Sequence, residues 1–370
     1  MYNEKIVGGI KMWIKKLNLK NFRNYENQEI NFCKNINIFY GENAQGKTNI
    51  IEAIYMSSIG KSFRTNKDIE TIMLNKDNSL IECFFEKEDR DGKIKIEINK
   101  KKNIFINGIK IKKLSELLGN INIVIFTPDD IEILKGGPQN RRKFLDIMIS
   151  QLRPNYIYNL NMYLKTLEQR NNYLRQIREE QKDENMLEIW DEKLADYATK
   201  ICKYRTDYIN NINKKIKNIH KEITNNKEEI KIEYISECQD KNTYLNLLKQ
   251  RRKLDIIKGY TTKGIHRDDF SVFINNKELN IYGSQGQHRT AILSLKISEL
   301  QIIKDEIGEY PILLLDDFMS ELDNNRRKNL LKYMKDAQVI ITCTEKLNID
   351  SLNCLEYKVD NGKIFDKDKI

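Results

Sequence analysis

The chain has 370 residues, 32% of them charged and 40% apolar, and carries a formal net charge of +10. That balance excludes a low-hydrophobicity disordered chain, and no apolar run approaches the roughly 18 to 20 residues of a membrane span. A basic surface favours nucleic acid as a partner, with compositional drift toward Lys, Asn and Ile as the competing account. Six cysteines, at positions 33, 83, 202, 238, 343 and 354, form no Cys-x-x-Cys pair. A zinc site or disulfide framework is therefore not expected, no membrane is involved, and a cytoplasmic location is.

Residues 1–11 lack the apolar core of a signal peptide and read as a tail or a misassigned start, with Met12 opening the first strand. Trp13 to Phe32 alternates as two strands around a turn at Asn21 to Tyr25. A short apolar run, Ile36 to Tyr40, then leads into Gly41-Glu42-Asn43-Ala44-Gln45-Gly46-Lys47-Thr48 and Asn49. The octapeptide matches G-x-x-x-x-G-K-[ST], the loop whose backbone N–H groups cradle nucleotide phosphates at a helix N-terminus. Lys47 neutralises β/γ charge, and Thr48 offers a hydroxyl to Mg²⁺.

The glycine-led basic loop at 60–65 (GKSFRT) suits a solvated connection and a nucleic-acid contact equally. Strand-like runs follow at Leu80 to Phe85, Lys93 to Ile98 and Asn103 to Ile106, with Asn107-Gly108 turning a hairpin. After a run at Ile121 to Phe126, residues 135–146 (KGGPQNRRKFLD) start a helix with Arg141, Arg142 and Lys143 near its positive end. Such charges call for an acidic partner or nearby carboxylates. Helical spacing from Tyr156 to Ile177, and again from Leu187 to Ile219, predicts two helices of about 24 and 36 residues forming an antiparallel arm roughly 35 to 55 Å long. A strand at Ile230 to Ile235, a helix through Lys258 and two strands hinged near Asn275-Asn276 return toward the first domain.

Two later stretches complete the nucleotide chemistry. Tyr310 to Asp323 (YPILLLDDFMSELD) is a buried strand ending in paired carboxylates, the Walker B arrangement beside a P-loop metal. Asp316 would hold Mg²⁺ and Asp317 would polarise the attacking water. Gly283-Ser284-Gln285-Gly286-Gln287 opens a helix and offers a second anion site. One complete P-loop does not need two γ-phosphate sites, so this one is expected to serve the nucleotide of a second subunit.

Together these motifs resemble the ABC-type ATPases of chromosome maintenance and repair, and within them the RecF family. The resemblance rests on residues 19–25 (LKNFRNY), 41–49, 61–65, the FTPDD and KGGPQNRRKFLD block, 264–269 (GIHRDD), 282–296 and 313–323. It implies an α/β fold: an ABC-type ATPase head formed from N- and C-terminal segments, with an inserted helical hairpin arm. The expected division is 1–11 tail, 12–150 head, 151–258 arm and 259–370 head. It further implies an ATP- and Mg²⁺-dependent homodimer that binds single- and double-stranded DNA at gaps, hydrolyses ATP slowly, and promotes RecA loading with RecR and RecO. By position, residues 41–49 hold the nucleotide and Ser284, Gly286 and Gln287 touch the partner's γ-phosphate. Arg23 and Asn24 approach the nucleotide from the N-terminal sheet. Lys61, Arg64, Arg141, Arg142 and Lys143 are DNA candidates on charge and loop position. Asp317 stands for the usual Glu, and the strand after it ends in Thr344-Glu345 without the switch histidine, which suits slow hydrolysis. A long-armed SMC- or Rad50-like DNA tether is the competing reading.

Overall fold

The computed structural model describes residues 10–88, 90–346 and 354–366. The expected tail at 1–11 thus lies almost wholly outside the described residues. Two compact units emerge, residues 1–130 with 296–370, and residues 131–295.

The first unit holds two six-stranded sheets. One is antiparallel and built on Met12–Phe22, which pairs with Tyr25–Asn31 on one side and Ser79–Lys87 on the other. Burial along Met12–Phe22 alternates, slipping at a bulge between Ile14 and Lys16, so one face is core and the other solvent. The second sheet is parallel through Cys354–Asp360, Ile36–Tyr40, Val339–Cys343, Ile312–Asp316 and Ile123–Phe126. Lys363–Asp366 closes its edge as an antiparallel hairpin. Its central strands, Val339–Cys343 and Ile312–Asp316, are buried throughout because both faces are covered. Helix Lys47–Ile59 contacts strands of both sheets, and nearly all its residues are buried. Its lack of an amphipathic stripe follows from that placement. The buried Gln338 side chain ties the sheets together, accepting from Ile14 N at 2.7 Å and donating to Ile14 O at 2.8 Å.

The second unit contains the arm, Pro154–Glu180 and Leu187–Ile223, of 27 and 37 residues. Gln181 in the left-handed region ends the first helix, and Asp183 accepts from Asn185 N to start the next turn. Arg170, fully buried between the helices, pairs with Asp191 at 2.7 Å and Asp255 at 2.8 Å. Removing one partner of such a set costs about 3–5 kcal/mol, so it fixes the arm's register. A three-stranded antiparallel sheet, Lys277–Glu278, Asp269–Ile274 and Ile230–Ile235, turns at Asn275 and Asn276, both at positive φ as a two-residue hairpin requires.

The unit boundaries differ from a division at 150 and 259. Residues 131–150 and 259–295 cluster with the arm because helix Pro138–Leu152 packs on strand Asp269–Ile274 and Arg141 pairs with Asp269. The Arg205 guanidinium, buried at 1% exposure, adds Asp146, Asp268 and the carbonyl of Ile265 to one knot.

Candidate nucleotide site and signature element

The phosphate loop is shaped by its two glycines. Gly41 has φ +154, and a Cβ there would stand 2.3 Å from the carbonyl oxygen of Val359. Gly46 has φ +116, and a Cβ would meet the Asn24 side chain at 2.6 Å. Any other residue would be strained at either position. Residues 42–44 are exposed, with Ala44 also at positive φ, whereas Lys47 is buried and donates to Gly41 O at 2.7 Å and Glu42 O at 2.8 Å. Its amine therefore sits inside the curl of the loop.

Two hydroxyls converge on one carboxylate oxygen. Thr48 Oγ1 donates to Asp316 Oδ1 at 3.0 Å, and Thr342 Oγ1 donates to the same atom at 2.7 Å. Burial pushes the Asp316 carboxyl above its ordinary range, and those two hydroxyls pull it back. Asp317 has a left-handed φ of 48, and its backbone N–H donates to Thr342 Oγ1 at 3.0 Å. The Thr342 hydroxyl thus orients both members of the acidic pair.

A collar braces the loop from the side. Asn24 donates to Gln45 O at 2.8 Å and accepts from Asn49 at 2.8 Å, Tyr25 donates to Gly46 O at 3.1 Å, and Asn361 N donates to Gln45 Oε1 at 2.6 Å. Arg23 forms a fork on Glu52 at 2.9 and 2.6 Å and reaches Glu70 O at 2.7 Å. Glu52, fully buried on the P-loop helix, also accepts from Ser62 at 2.5 Å and Arg64 at 3.4 Å. The basic loop at 60–65 is therefore clamped to that helix.

In the second unit, Ser284 caps helix Gln285–Ile307, which begins earlier than the run Arg289 to Glu299 suggests. Gln287 N donates to Ser284 Oγ at 3.2 Å and Ser284 N to Gln287 Oε1 at 2.9 Å, a reciprocal capping box. Gln287 Nε2 donates to Glu228 Oε1 at 2.9 Å, and Glu228 meets the buried His220 at 3.2 Å. His220 lies in the last turn of the long arm helix and contacts Ser294 at 3.0 Å. Burial lowers the His220 pKa, outweighing the opposing pull of Glu228.

A family model described as RecF/RecN/SMC N terminal domain matches residues 13–356. The DNA replication and repair protein RecF of Clostridium perfringens is 48% identical over 362 residues, covering 95% of this chain and 99% of that protein. The chain belongs to the RecF family. The RecF of Clostridium tetani is 47% identical over 365 residues. A solved structure described as RecF–ATP in the RecFOR pathway superposes with a TM-score of 0.92 at 39% identity, covering 97% of this chain and 99% of that one. An Smc head domain from Pyrococcus yayanosii, at 13% identity and a TM-score of 0.58, shares the fold. An α/β ABC-type ATPase head, expected from the motifs, is thus the fold of this RecF-family chain.

The DNA candidates fare unequally. Arg141 is 8% exposed and grips Asp269 at 2.6 and 2.9 Å and Gly136 O at 2.7 Å, so its guanidinium is engaged within the second unit. Its carboxylate partner lies 128 positions away, which no local pattern reveals. Arg142, half-buried, donates to Asp268 O at 2.7 Å, and Arg64 reaches Asn49 as well as Glu52. Lys61 and Lys143 are exposed. Thr342, Glu52 and Glu228 carry no motif signal, and only the fold reveals that they orient motif residues. Among the described residues, no group of three or more His, Cys, Asp or Glu is placed to hold a metal. Among them, too, no helix is long and apolar enough to cross a membrane.

Proposed function

We propose that this RecF-family chain is an ATP-gated DNA-binding protein of replication and recombinational repair. The observation that carries the reading is the convergence of Thr48 and Thr342 on Asp316 behind a glycine-shaped phosphate loop. A hydroxyl and a carboxylate within 3.0 Å of each other are the two protein oxygens that Mg²⁺ takes when phosphates and waters complete its shell. Thr48 and Asp316 would hold the ion, whose bound charge neutralises the β- and γ-phosphates. Residues Gly41 to Asn49 wrap the phosphates, with Lys47 supplying charge. Arg23 and Asn24 act on the loop through Glu52, Gln45 and Asn49.

Asp317 polarises the attacking water. Its side chain is one methylene shorter than Glu, and hydrolysis is correspondingly a slow timer. Ser284, Gly286 and Gln287 address the γ-phosphate held by a second copy, so that ATP bonds a homodimer and hydrolysis releases it. The dimer binds single- and double-stranded DNA at gaps in the cytoplasm and, with RecR and RecO, promotes RecA loading. Arms of 27 and 37 residues extend only about 40 and 55 Å, which disfavours a chromosome-spanning tether.

Sedimentation with and without ATP and gapped DNA tests this reading. Wild-type protein should dimerise with ATP, Lys47→Ala should bind no nucleotide, and Ser284→Arg should bind ATP while remaining monomeric. A Ser284→Arg variant that still dimerised with ATP would refute the shared site.

A further inference from the structure

The sequence GIHRDD, residues 264–269, stands outside the nucleotide chemistry, and its side chains divide sharply. His266 contacts Tyr163 at 2.7 Å and Thr261 O at 3.0 Å, Asp268 pairs with Arg205, and Asp269 pairs with Arg141. These three hold the second unit together. Arg267 is exposed, and no carboxylate lies within ion-pair distance of it among the described residues.

The local backbone explains that exposure. Gly264 has φ +139, and a Cβ there would stand 2.3 Å from the Tyr244 hydroxyl, so the chain turns tightly into Ile265–Arg267. The turn carries the guanidinium to 5.7 Å from the ring centroid of Tyr260, while Lys258 Nζ reaches 6.0 Å from the same centroid. Tyr260 remains 40% exposed. Lys258, Tyr260, Lys263 and Arg267 line one cavity of about 430 Å³, within the size range of ligand clefts at about 300–1,000 Å³.

Charge bookkeeping at the rim favours an anion. Glu237 and Asp268 are its carboxylates, and Lys263 pairs with the first at 2.6 Å while Arg205 takes the second. Lys258 and Arg267 are left uncompensated beside an exposed aromatic ring. Cations that neutralise phosphates, next to a ring on which a base can stack, are the chemistry of single-strand recognition. Paired bases in a duplex are already stacked and offer no free face to Tyr260.

We propose that this cleft is a single-stranded DNA contact site, with Tyr260 stacking an unpaired base and Lys258 and Arg267 holding the adjoining phosphates. The inference rests on the DNA-binding reading above and assigns its single-strand contact to a cleft in the second unit whose stacking ring and two free cations, Tyr260, Lys258 and Arg267, are not among the five basic residues first singled out.

The test uses full-length protein with ATP and a labelled oligo-dT of about 15 nucleotides, titrated across a range of salt. Tyr260→Ala should weaken oligo-dT binding about tenfold, and Tyr260→Phe should restore it. Arg267→Ala should flatten the dependence of log affinity on log salt by about 0.7, the single-strand value for one phosphate contact. ATP affinity, melting temperature and binding of a blunt duplex should stay at wild-type levels. Wild-type oligo-dT binding by both Tyr260→Ala and Arg267→Ala would overturn the site, and equal losses on single strand and duplex would overturn its single-strand character. Absence of DNA binding by the wild-type protein would instead overturn the functional reading on which the site rests.

Discussion

Thr342→Val removes one hydroxyl while keeping the shape of a fully buried side chain. Strand Val339–Cys343 and its packing should survive, and two hydrogen bonds are lost. The donation to the Asp316 carboxylate at 2.7 Å is worth about 1.5–3 kcal/mol, as a bond to a charged group. The other loss is small, because Asp317 N also reaches the Thr342 carbonyl oxygen at 3.2 Å. Asp316 keeps only Thr48, so its carboxyl, already above the ordinary range through burial, rises further. A metal ligand must be ionised. Mg²⁺ affinity in the presence of ATP should therefore fall, most steeply toward acidic pH, and the acidic limb of ATP hydrolysis should move to higher pH. Folding stability has the opposite sign. A carboxyl with a raised folded pKa loses stabilisation as pH rises through that pKa, so ionising Asp316 destabilises the nucleotide-free fold while it permits metal binding. Mg²⁺ titrations of ATP-dependent dimerisation and hydrolysis, from about pH 5.5 to 8.5, read both effects. Thr342→Ser should restore them. Weaker metal binding with an unmoved acidic limb, or failure of Ser to rescue, would refute the assignment to the hydroxyl.

Gly46→Ala should cost about 1–3 kcal/mol of stability through its left-handed backbone and the Asn24 clash, and should abolish binding of a fluorescent ATP analogue. Arg141→Ala should lower stability by about 3–5 kcal/mol in denaturant unfolding by leaving Asp269 unpaired, with an unchanged salt dependence of DNA binding. Glu228→Ala should leave monomer ATP affinity intact and weaken ATP-dependent dimerisation severalfold in sedimentation, because the Gln287 amide loses its acceptor. Burial lowers His266 to about 4, so the unfolded chain takes up that proton first. Its contribution is complete above about pH 6.5 and is lost as pH falls toward 4; His266→Gln should flatten that part of the stability profile by about 3 kcal/mol.

The parts of the fold with local chemical signatures were legible. The P-loop, the strand Ile312–Asp316, the Asn107-Gly108 and Asn275-Asn276 hairpins and both arm helices are each fixed by spacing within a dozen or so residues. Boundaries erred where a cap decides: Ser284 starts its helix through Gln287, a reciprocal pair that reads in sequence like any polar loop. The hairpin Cys354–Asp360 with Lys363–Asp366 escaped because its mixed charged and apolar text becomes a strand only beside Ile36–Tyr40. Charge was the least legible property. Arg141 and Arg23 look alike in a basic chain, and only tertiary pairing with Asp269 and Glu52 tells that both are internally satisfied. Tyr260 carried no motif signal either, since its meaning comes from two cations at different sequence distances.

The chain of contacts from Ser284 through Gln287 and Glu228 to His220 has a mechanical corollary. His220 sits in the last turn of a 37-residue helix, so the cap of the signature is fastened at the root of a rod about 55 Å long. The same helix is pinned further along by Arg205 to Asp146 and Asp268 and by Asn213 to Ile232, so the Gln287 cap is continuous with a braced strut. A change at Glu228 is therefore felt both at the Ser284 cap and in the last turn of that helix.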